Sequence, residues 1–250
     1  MTAPTIIAHR GFAGVAPENT VGAVRTAAPH ADRIEVDVVA AADGTPVVFH
    51  DPRLDDDGAS RGITDGAGVV ADLPVETVTA AAVLESGERV PTLDRLLAGT
   101  DAPLNVELKR PRPAPGRRGA LPAADRDAAR ERWRPFVDRV LDALVDRDVL
   151  LSSFYEGALA AVHERDGGLP IAPLCRDVDD GRELATRYDA AAVHPSLAAV
   201  RTADSLPAAP DVNVWTVRTW VEARDAVRAG ADGLIADYPG LARWLDAKSG

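Results

Sequence analysis

The chain has 250 residues, of which 46% are hydrophobic and only 4% aromatic, and its formal net charge at pH 7 is −11. This length suits one large α/β domain or two small ones, and it is enough to bury a full hydrophobic core. The negative charge argues against nonspecific nucleic-acid binding and against docking on anionic membranes, but a metal ion or a few arginines can still hold an anionic substrate.

Cysteine and lysine usage bear on the compartment and the surface. Cys175 is alone, so no intrachain disulfide is possible, which fits a reducing cytoplasm. We find no signal-peptide pattern at the N-terminus and no apolar run near the ~20 residues of a membrane span, and therefore predict a cytoplasmic protein without membrane insertion. Lysine occurs only at Lys109 and Lys248. A GC-rich genome and a salt-adapted surface both explain this composition.

Short apolar runs alternate with helical patterns along the chain. Eight runs have the composition and flanking residues of strands: Thr5–His9, Arg33–Val38, Pro103–Leu108, Val149–Ser153, Leu169–Leu174, Ala190–His194, Val212–Val217 and Asp232–Ala236. Helical patterns follow most of them: Glu18–Ala28, Asp125–Val145, Tyr155–Arg165, Val178–Tyr188, Val221–Ala229 and Pro239–Ala247. Eight strand–helix repeats predict a closed TIM-type (β/α)8 barrel, in a single domain over residues 1–250. Pro135 is expected to kink or break the longest helix.

A hairpin and a small insertion interrupt the alternation. Asp43-Gly44 lies between two apolar runs, which predicts a β-hairpin after the second strand. With a two-residue turn there, Asp37 would lie opposite His50. We expect an insertion at about 52–102, with short helices at Val75–Val83 and Leu93–Ala98.

The segment RPRPAPGRR at residues 110–118 is rich in proline and arginine and is expected to be an irregular loop. It follows the third barrel strand, at the end of the barrel that carries the active site in this fold. It is either a plain connector or a basic collar that attracts an anionic substrate.

Three carboxylates interrupt strands that are otherwise apolar. Glu35 and Asp37 share one face of their strand, as do Glu107 and Lys109 on theirs, because side chains alternate along a strand. Carboxylates buried in this way are costly unless a cation or a base offsets them. Exposed carboxylates on an edge strand are the plain alternative. A cluster of oxygen ligands suits one divalent cation, Mg²⁺ or Ca²⁺, better than zinc.

Two histidines follow apolar runs close to these carboxylates. His9 and His50 are therefore candidates for proton transfer rather than for a structural role. Arg10, directly after His9, could hold a phosphate bidentately. His194 ends a strand at the same rim, and both a structural and a site role remain open for it.

Together these segments resemble the glycerophosphodiester phosphodiesterase family, whose relatives include phosphatidylinositol-specific phospholipase C. The matching segments are AHRG at 8–11, PENT at 17–20, EVDV at 35–38, HD at 50–51 and VELK at 106–109. Weaker matches are VPTLDRLL at 90–97, SSF at 152–154, VWTV at 214–217 and ADGLIADYP at 231–239. Their order and spacing, more than any single fragment, carry the resemblance.

The resemblance implies a TIM-type barrel that hydrolyses glycerophosphodiesters to sn-glycerol 3-phosphate and an alcohol, in glycerol and lipid metabolism. It implies a metal site at Glu35, Asp37 and Glu107, with His9 and His50 as general acid and base. By analogy with phosphatidylinositol-specific phospholipase C, His9 would be the base and His50 the acid. It further implies that three residues bind the substrate: Arg10 and Lys109 at the phosphate, and Trp215 in the pocket wall.

Two departures and two rival functions accompany the resemblance. Arg218 stands where the family has asparagine, and the family's late Thr-Asp pair is Ala236-Asp237 here. Both lie at the rim of the last two strands, so they bear on the alcohol rather than on the metal. A phospholipase C- or D-like enzyme on intact lipid should show apolar surface loops, whereas the loops here are polar. A non-catalytic phosphodiester-binding protein should have lost one of the five catalytic or metal-site side chains, and all are present.

Overall fold

The computed structural model describes residues 3–110, 116–207, 210–243 and 245. Nine strands form one sheet, in which eight parallel strands close into a barrel through the pairing of β1 with both β2 and β9. The strands are β1 Thr5–Ala8, β2 Arg33–Ala40, β3 Pro46–Val48, β4 Leu104–Leu108, β5 Val149–Ser153, β6 Ile171–Cys175, β7 Ala192–Pro195, β8 Asp211–Val217 and β9 Gly233–Ala236. The predicted TIM-type barrel is confirmed.

Helices connect the strands and cover the barrel. They are α1 Val21–Ala27, α2 Val75–Ala80, α3 Leu93–Leu97, α4 Ala123–Ala143, α5 Glu156–Arg165, α6 Val178–Tyr188, α7 Leu197–Thr202 and α8 Trp220–Arg228. Short 3-10 turns lie at His9–Gly11, Ala28–His30 and Val70–Asp72. Among the described residues, no helix is long and apolar enough to cross a membrane.

The register of the parallel strands brings the acidic side chains to one end of the barrel. Asp37 of β2 pairs with Glu107 of β4, which pairs with Ser152 of β5. Side chains alternate along a strand, so Glu35, two residues before Asp37, faces the same side. The barrel interior is therefore polar at this level, while Val36 and Val106 pack outward in the hydrophobic core.

The hairpin after β2 is present, but its predicted register is wrong by one residue. Val38 pairs with Val48, and the Phe49 amide donates to the Asp37 carbonyl at 3.0 Å, so Phe49 rather than His50 lies opposite Asp37. The loop has three residues, with Gly44 at φ +83°. A three-residue loop that ends in a left-handed glycine is a common alternative to the two-residue turn.

Some helix predictions need correction. The helix α4 is continuous through Pro135 and does not break there. The helix predicted over Pro239–Ala247 is not formed at 239–243, which are turns, and residues 244, 246 and 247 lie outside the described part. The helix α7 was not predicted, because its six residues are too short for a clear periodic pattern. Of the loop at 110–118, residues 111–115 lie outside the described ranges.

The predicted insertion forms a small packed unit beside the barrel. It contains α2 and α3, and a hydrophobic cluster that includes Phe49, Leu54 and Val78 holds it against β3. Its loops pair with one another through isolated bridges such as Arg53 to Val69. The insertion thus lies next to the end of the hairpin, where His50 lies in the loop that follows β3.

Candidate active site

Three buried carboxylates converge at the end of β2 and β4. Glu35, Asp37 and Glu107 each offer one oxygen, and these oxygens lie within 4.8 Å of one another. Glu35 and Asp37 are 4% and 1% exposed. Like charges at such spacing repel strongly in a buried site, so the cluster needs a compensating cation.

Two basic side chains supply part of that compensation. The Nζ of Lys109 lies 3.0 Å from Glu107 and 3.4 Å from Asp37, and the Nε of Arg10 lies 3.1 Å from Asp37. Burial alone would raise the pKa of Asp37, but Lys109 and Arg10 outweigh it and hold that pKa well below its usual range. The side chain of Arg10 is also bound to Glu18 at 2.9 Å. In this structure, Arg10 and Lys109 thus contact the acidic cluster.

The negative charge that Arg10 and Lys109 leave uncompensated fits a divalent cation. Burial, together with the charges of Asp37 and Glu107, raises the pKa of Glu35 well above its ordinary value. The Oδ1 atom of Asp37 is buried without a hydrogen bond. This oxygen lies 3.4 Å from Lys109 Nζ, and clustered carboxylate oxygens of this kind are the donors that Mg²⁺ and Ca²⁺ prefer. The residues present therefore fit such an ion.

The PENT segment contacts the acidic cluster through Asn19 and Arg10. Asn19, in a left-handed conformation at φ +58°, donates from Nδ2 to Asp37 at 2.9 Å and accepts from the Asp37 amide at 3.1 Å. Glu18 accepts from Arg10, and Thr20 caps α1 by accepting from the Ala23 amide. These contacts explain physically why Glu18, Asn19 and Thr20 accompany the EVDV strand.

His9 is paired with a carboxylate from the last strand loop. Its Nδ1 lies 2.6 Å from Asp237 Oδ1, and Arg218 Nε donates to the other oxygen at 2.8 Å. A carboxylate only accepts, so Nδ1 carries the proton and Nε2 of the neutral ring is left as an acceptor. Burial lowers the pKa of His9 in spite of the bond to Asp237. The Nε2 atom of His9 can therefore accept a proton in this arrangement.

His50 has a second, separate carboxylate. Its Nδ1 lies 2.5 Å from Asp51 Oδ1. The other oxygen of Asp51 accepts from the Arg61 amide at 3.0 Å and from its Nε at 2.9 Å. The same guanidinium donates twice to Glu18, at 2.7 Å each. Arg61, in the insertion, therefore fixes the HD and PENT segments relative to each other.

One cleft of about 480 Å³ joins these groups. Its walls include most of the predicted site residues: His9, Arg10, Glu35, His50, Glu107, Lys109 and Trp215. Asp37 lies in the buried layer behind them. His194 lies elsewhere: it is fully buried beside Asn213, and only its backbone carbonyl reaches the site, by accepting from Trp215 Nε1 at 2.7 Å. The structure thus favours a structural role for His194.

Comparison with known proteins identifies the family. The sequence profile of the Glycerophosphoryl diester phosphodiesterase family matches residues 9–241. The chain belongs to this family. It is a glycerophosphodiester phosphodiesterase, an enzyme that hydrolyses glycerophosphodiesters, and the family predicted from its motifs is confirmed.

Relatives of similar length match along nearly the whole enzyme. The chain is 28% identical over 251 residues to a glycerophosphodiester phosphodiesterase of Caldanaerobacter subterraneus, covering 94% of each chain. It is 27% identical over 255 residues to one of Bacillus altitudinis, again covering 94% of each. A phosphodiesterase of Oleispira antarctica, solved with its product sn-glycerol 3-phosphate, shares the fold, with a TM-score of 0.79, 24% identity and coverage of 98% of both chains.

Sequence reasoning about this phosphodiesterase missed the partners of the two histidines. Asp51 directly follows His50, so the HD pair was a visible signal whose meaning depends on the local backbone. Asp237 lies 228 residues from His9, and only the closure of β9 against β1 brings them together. The Asp237 position was noted as part of a family segment, but no local pattern links it to His9.

Proposed function

We propose that this phosphodiesterase uses one divalent cation, held by Glu35, Asp37 and Glu107, and the two histidines His9 and His50 for proton transfer. The observation that supports this most is the convergence of three buried carboxylates and two histidine–carboxylate pairs on a single cleft. The products would be sn-glycerol 3-phosphate, the compound bound in the Oleispira antarctica phosphodiesterase, and a free alcohol.

Each side chain then has a stated task. A cation at the carboxylates would supply Lewis-acid stabilisation of the charge on the phosphodiester. The Nε2 of His9 takes a proton from the nucleophile, which is water or the neighbouring glycerol hydroxyl, while Asp237 keeps the ring oriented. Water gives glycerol 3-phosphate directly, whereas the hydroxyl gives a cyclic phosphate that a water molecule must then open. His50, held by Asp51, delivers a proton to the departing alcohol. Lys109 and Arg10 bring positive charge to the phosphate oxygens, and Trp215 forms an apolar wall.

The requirement for a divalent cation is tested by its removal and restoration. Protein treated with a chelator should release no glycerol 3-phosphate from glycerophosphodiesters, and either Mg²⁺ or Ca²⁺ should restore the activity. Glu35→Gln, Asp37→Asn and Glu107→Gln should each weaken metal binding, measured by calorimetry, together with activity. Full activity after chelation would exclude this mechanism.

The histidine roles need a separate test. His9→Asn and His50→Asn should each lower kcat by about 10²–10⁴, the usual effect of losing a general acid or base. His163→Asn, on the outer helix α5, is the matched control and should leave kcat within a factor of about three. Unchanged thermal unfolding of all three variants would show that the losses are chemical. A kcat near that of the wild type in either site variant would remove that histidine from the mechanism.

Two further predictions concern the whole chain. We propose that residues 1–250 act as one domain, because barrel strands run from Thr5 to Ala236. We also propose a cytoplasmic location, which the single buried Cys175 supports.

A further inference from the structure

Three aromatic rings form one side of the mouth of the cleft. Phe154 and Tyr155 follow β5, and Trp215 projects from β8. The rings of Phe154 and Trp215 meet edge to face, with their centroids 5.4 Å apart. We call these three side chains the aromatic wall. None of them belongs to the acidic cluster or to the histidine pairs, so the wall is available to the part of the substrate that extends beyond the phosphate.

An arginine covers each ring of the aromatic wall. The guanidinium carbon of Arg118 lies 4.9 Å from the Phe154 ring centroid, that of Arg176 lies 5.7 Å from Trp215, and that of Arg110 lies 5.8 Å from Tyr155. All three arginines also line the cleft. Stacking on the rings therefore holds three positive charges at the entrance, since a guanidinium over an aromatic face is attracted by the ring.

Among the residues that the structure describes, none of these three charges has an acidic partner. Within the part of the chain that the structure describes, Arg110, Arg118 and Arg176 form no ion pair, although the protein has 39 acidic residues against 28 basic ones. By contrast, Arg10 in the cleft and Arg61 in the insertion each contact two carboxylates. Cations without partners beside a cleft in an acidic protein are available to an anionic ligand.

We propose that the aromatic wall and its three arginines form the subsite for the alcohol part of the diester, and that this subsite selects alcohols carrying their own negative charge. The inference rests on the proposed function. A phosphate or carboxylate on the alcohol would pair with the arginines, which the rings hold in place. A quaternary ammonium group such as choline is disfavoured, because the aromatic faces that would bind it are already covered by guanidinium groups.

Matched substrates test the charge preference without changing the scissile bond. Glycerophosphoinositol 4-phosphate, glycerophosphoinositol and glycerophosphocholine carry the same phosphodiester, with an anionic, a neutral and a cationic alcohol. We expect kcat/KM to fall in that order, with about a tenfold difference between the first two, which corresponds to roughly 1.4 kcal/mol. Equal values, or a preference for glycerophosphocholine, would overturn the proposal.

Paired variants identify the residues responsible. Arg118→Gln combined with Arg176→Gln should reduce the preference for the phosphorylated substrate to about twofold or less. The control combines Arg95→Gln on α3 with Arg228→Gln on α8, which removes the same charge from exposed positions outside the cleft and should keep the full preference. A preference that survives in the first pair, or that is lost equally in both, would contradict a local subsite.

A binding measurement separates this proposal from the proposed function. The affinity of glycerophosphoinositol 4-phosphate, measured by calorimetry, should drop about tenfold in the Arg118/Arg176 variant and stay unchanged in the control. This holds whether or not the compound is cleaved. Failure to release glycerol 3-phosphate from all three substrates would count against the function, whereas equal affinities in the two variants would count against the subsite.

Discussion

Asp237 shows how a single side chain can fix the orientation of another. Its two oxygens are shared between His9 Nδ1 and Arg218 Nε, at 2.6 and 2.8 Å, so it both orients the ring and is itself fixed in place. Arg218, which departs from the family's usual asparagine, thus acts here through Asp237. An asparagine at 237 would keep the shape but could not accept equally well from Nδ1–H, so the ring would lose its preferred tautomer.

We therefore expect Asp237→Asn to lower kcat by about 10²–10³ with a much smaller change in KM. Release of glycerol 3-phosphate under steady-state conditions measures both constants. Asp225→Asn, which removes a carboxylate on α8 outside the cleft, should change kcat less than about threefold. A kcat within a few-fold of the wild type for Asp237→Asn would show that His9 does not need this partner.

His194 shows a different use of histidine, in the structure rather than in the reaction. It is fully buried and paired across strands with Leu174, which lines the cleft, so it faces the barrel interior. Burial lowers the pKa of His194 to about 3. In the unfolded chain its pKa is about 6.5. At pH values between these two pKa values, the unfolded chain binds one more proton than the folded protein. The free energy of unfolding therefore decreases as pH falls below about 6.5.

The expected result is a loss of about 2 kcal/mol from this residue between pH 7 and pH 5, since each pKa unit is worth roughly 1.4 kcal/mol. Urea denaturation of the wild type and of His194→Gln at pH 7, 6 and 5 measures it. The variant lacks the titrating ring, so its free energy of unfolding should fall less steeply over this range. Because the comparison uses slopes, any cost of the substitution at pH 7 cancels. Parallel slopes would show that His194 does not carry this dependence.

The residues that interrupt apolar strands were predictable from sequence, and their partners were not. Glu35, Asp37 and Glu107 stood out because a carboxylate within a buried strand needs a reason. Asp237 directly follows the last strand, β9, and a carboxylate is ordinary at the end of a strand. Its importance comes from an approach to His9 that depends on barrel closure, which strand patterns alone do not specify.

At the scale of elements, helix α5 lies unusually close to α4. A Cβ on Gly157, the second residue of α5, would lie 2.9 Å from the backbone carbonyl atoms of Ala129 and 2.7 Å from the Trp133 ring. Backbone atoms cannot move aside cheaply, so glycine is required for this close packing. The contact matters for the site because α5 begins directly after Phe154 and Tyr155, two members of the aromatic wall.

Gly157→Ala should therefore destabilise the protein by about 1–3 kcal/mol, as overpacking of a core does, despite the better helix propensity of alanine. Gly22→Ala is the matched control, because Gly22 is also the second residue of its helix. Its added Cβ would meet only the end of the Glu88 side chain, which can move. We expect that variant to be neutral or more stable by up to about 1 kcal/mol. Chemical denaturation measures the free energy of unfolding of both variants. A Gly157→Ala protein as stable as the wild type would show that α4 and α5 can move apart.

The sequence predicted where the strands lie better than it predicted the hairpin register or the continuity of α4. All eight barrel strands were located to within about two residues, because apolar runs bounded by turn residues are a strong signal. The hairpin register was not, since Asp-Gly is compatible with loops of two or three residues, and the choice shifts the pairing of Asp37 by one residue. Pro135 was expected to interrupt α4, but the helix continues through it.

At the scale of the whole molecule, the acidic surface has two competing effects. Many arginines are engaged in exposed ion pairs, for example Arg134 with Glu131 and Glu164, and salt weakens such pairs. The net charge of −11 acts against folding through self-repulsion, and salt relieves that repulsion. Exposed ion pairs contribute little each, so we expect the repulsion to dominate.

The melting temperature should therefore rise as KCl is increased from low to molar concentration. Replacing two exposed acids outside the cleft, in Glu85→Gln combined with Asp204→Asn, changes the net charge from −11 to about −9. Self-repulsion grows with the square of the net charge, so this variant should show about a third less gain from KCl and a higher melting temperature at low salt. A melting temperature independent of KCl in both proteins would mean that the scarcity of lysine reflects genome composition. A fall with KCl would instead show that the arginine ion pairs carry more of the stability than self-repulsion removes.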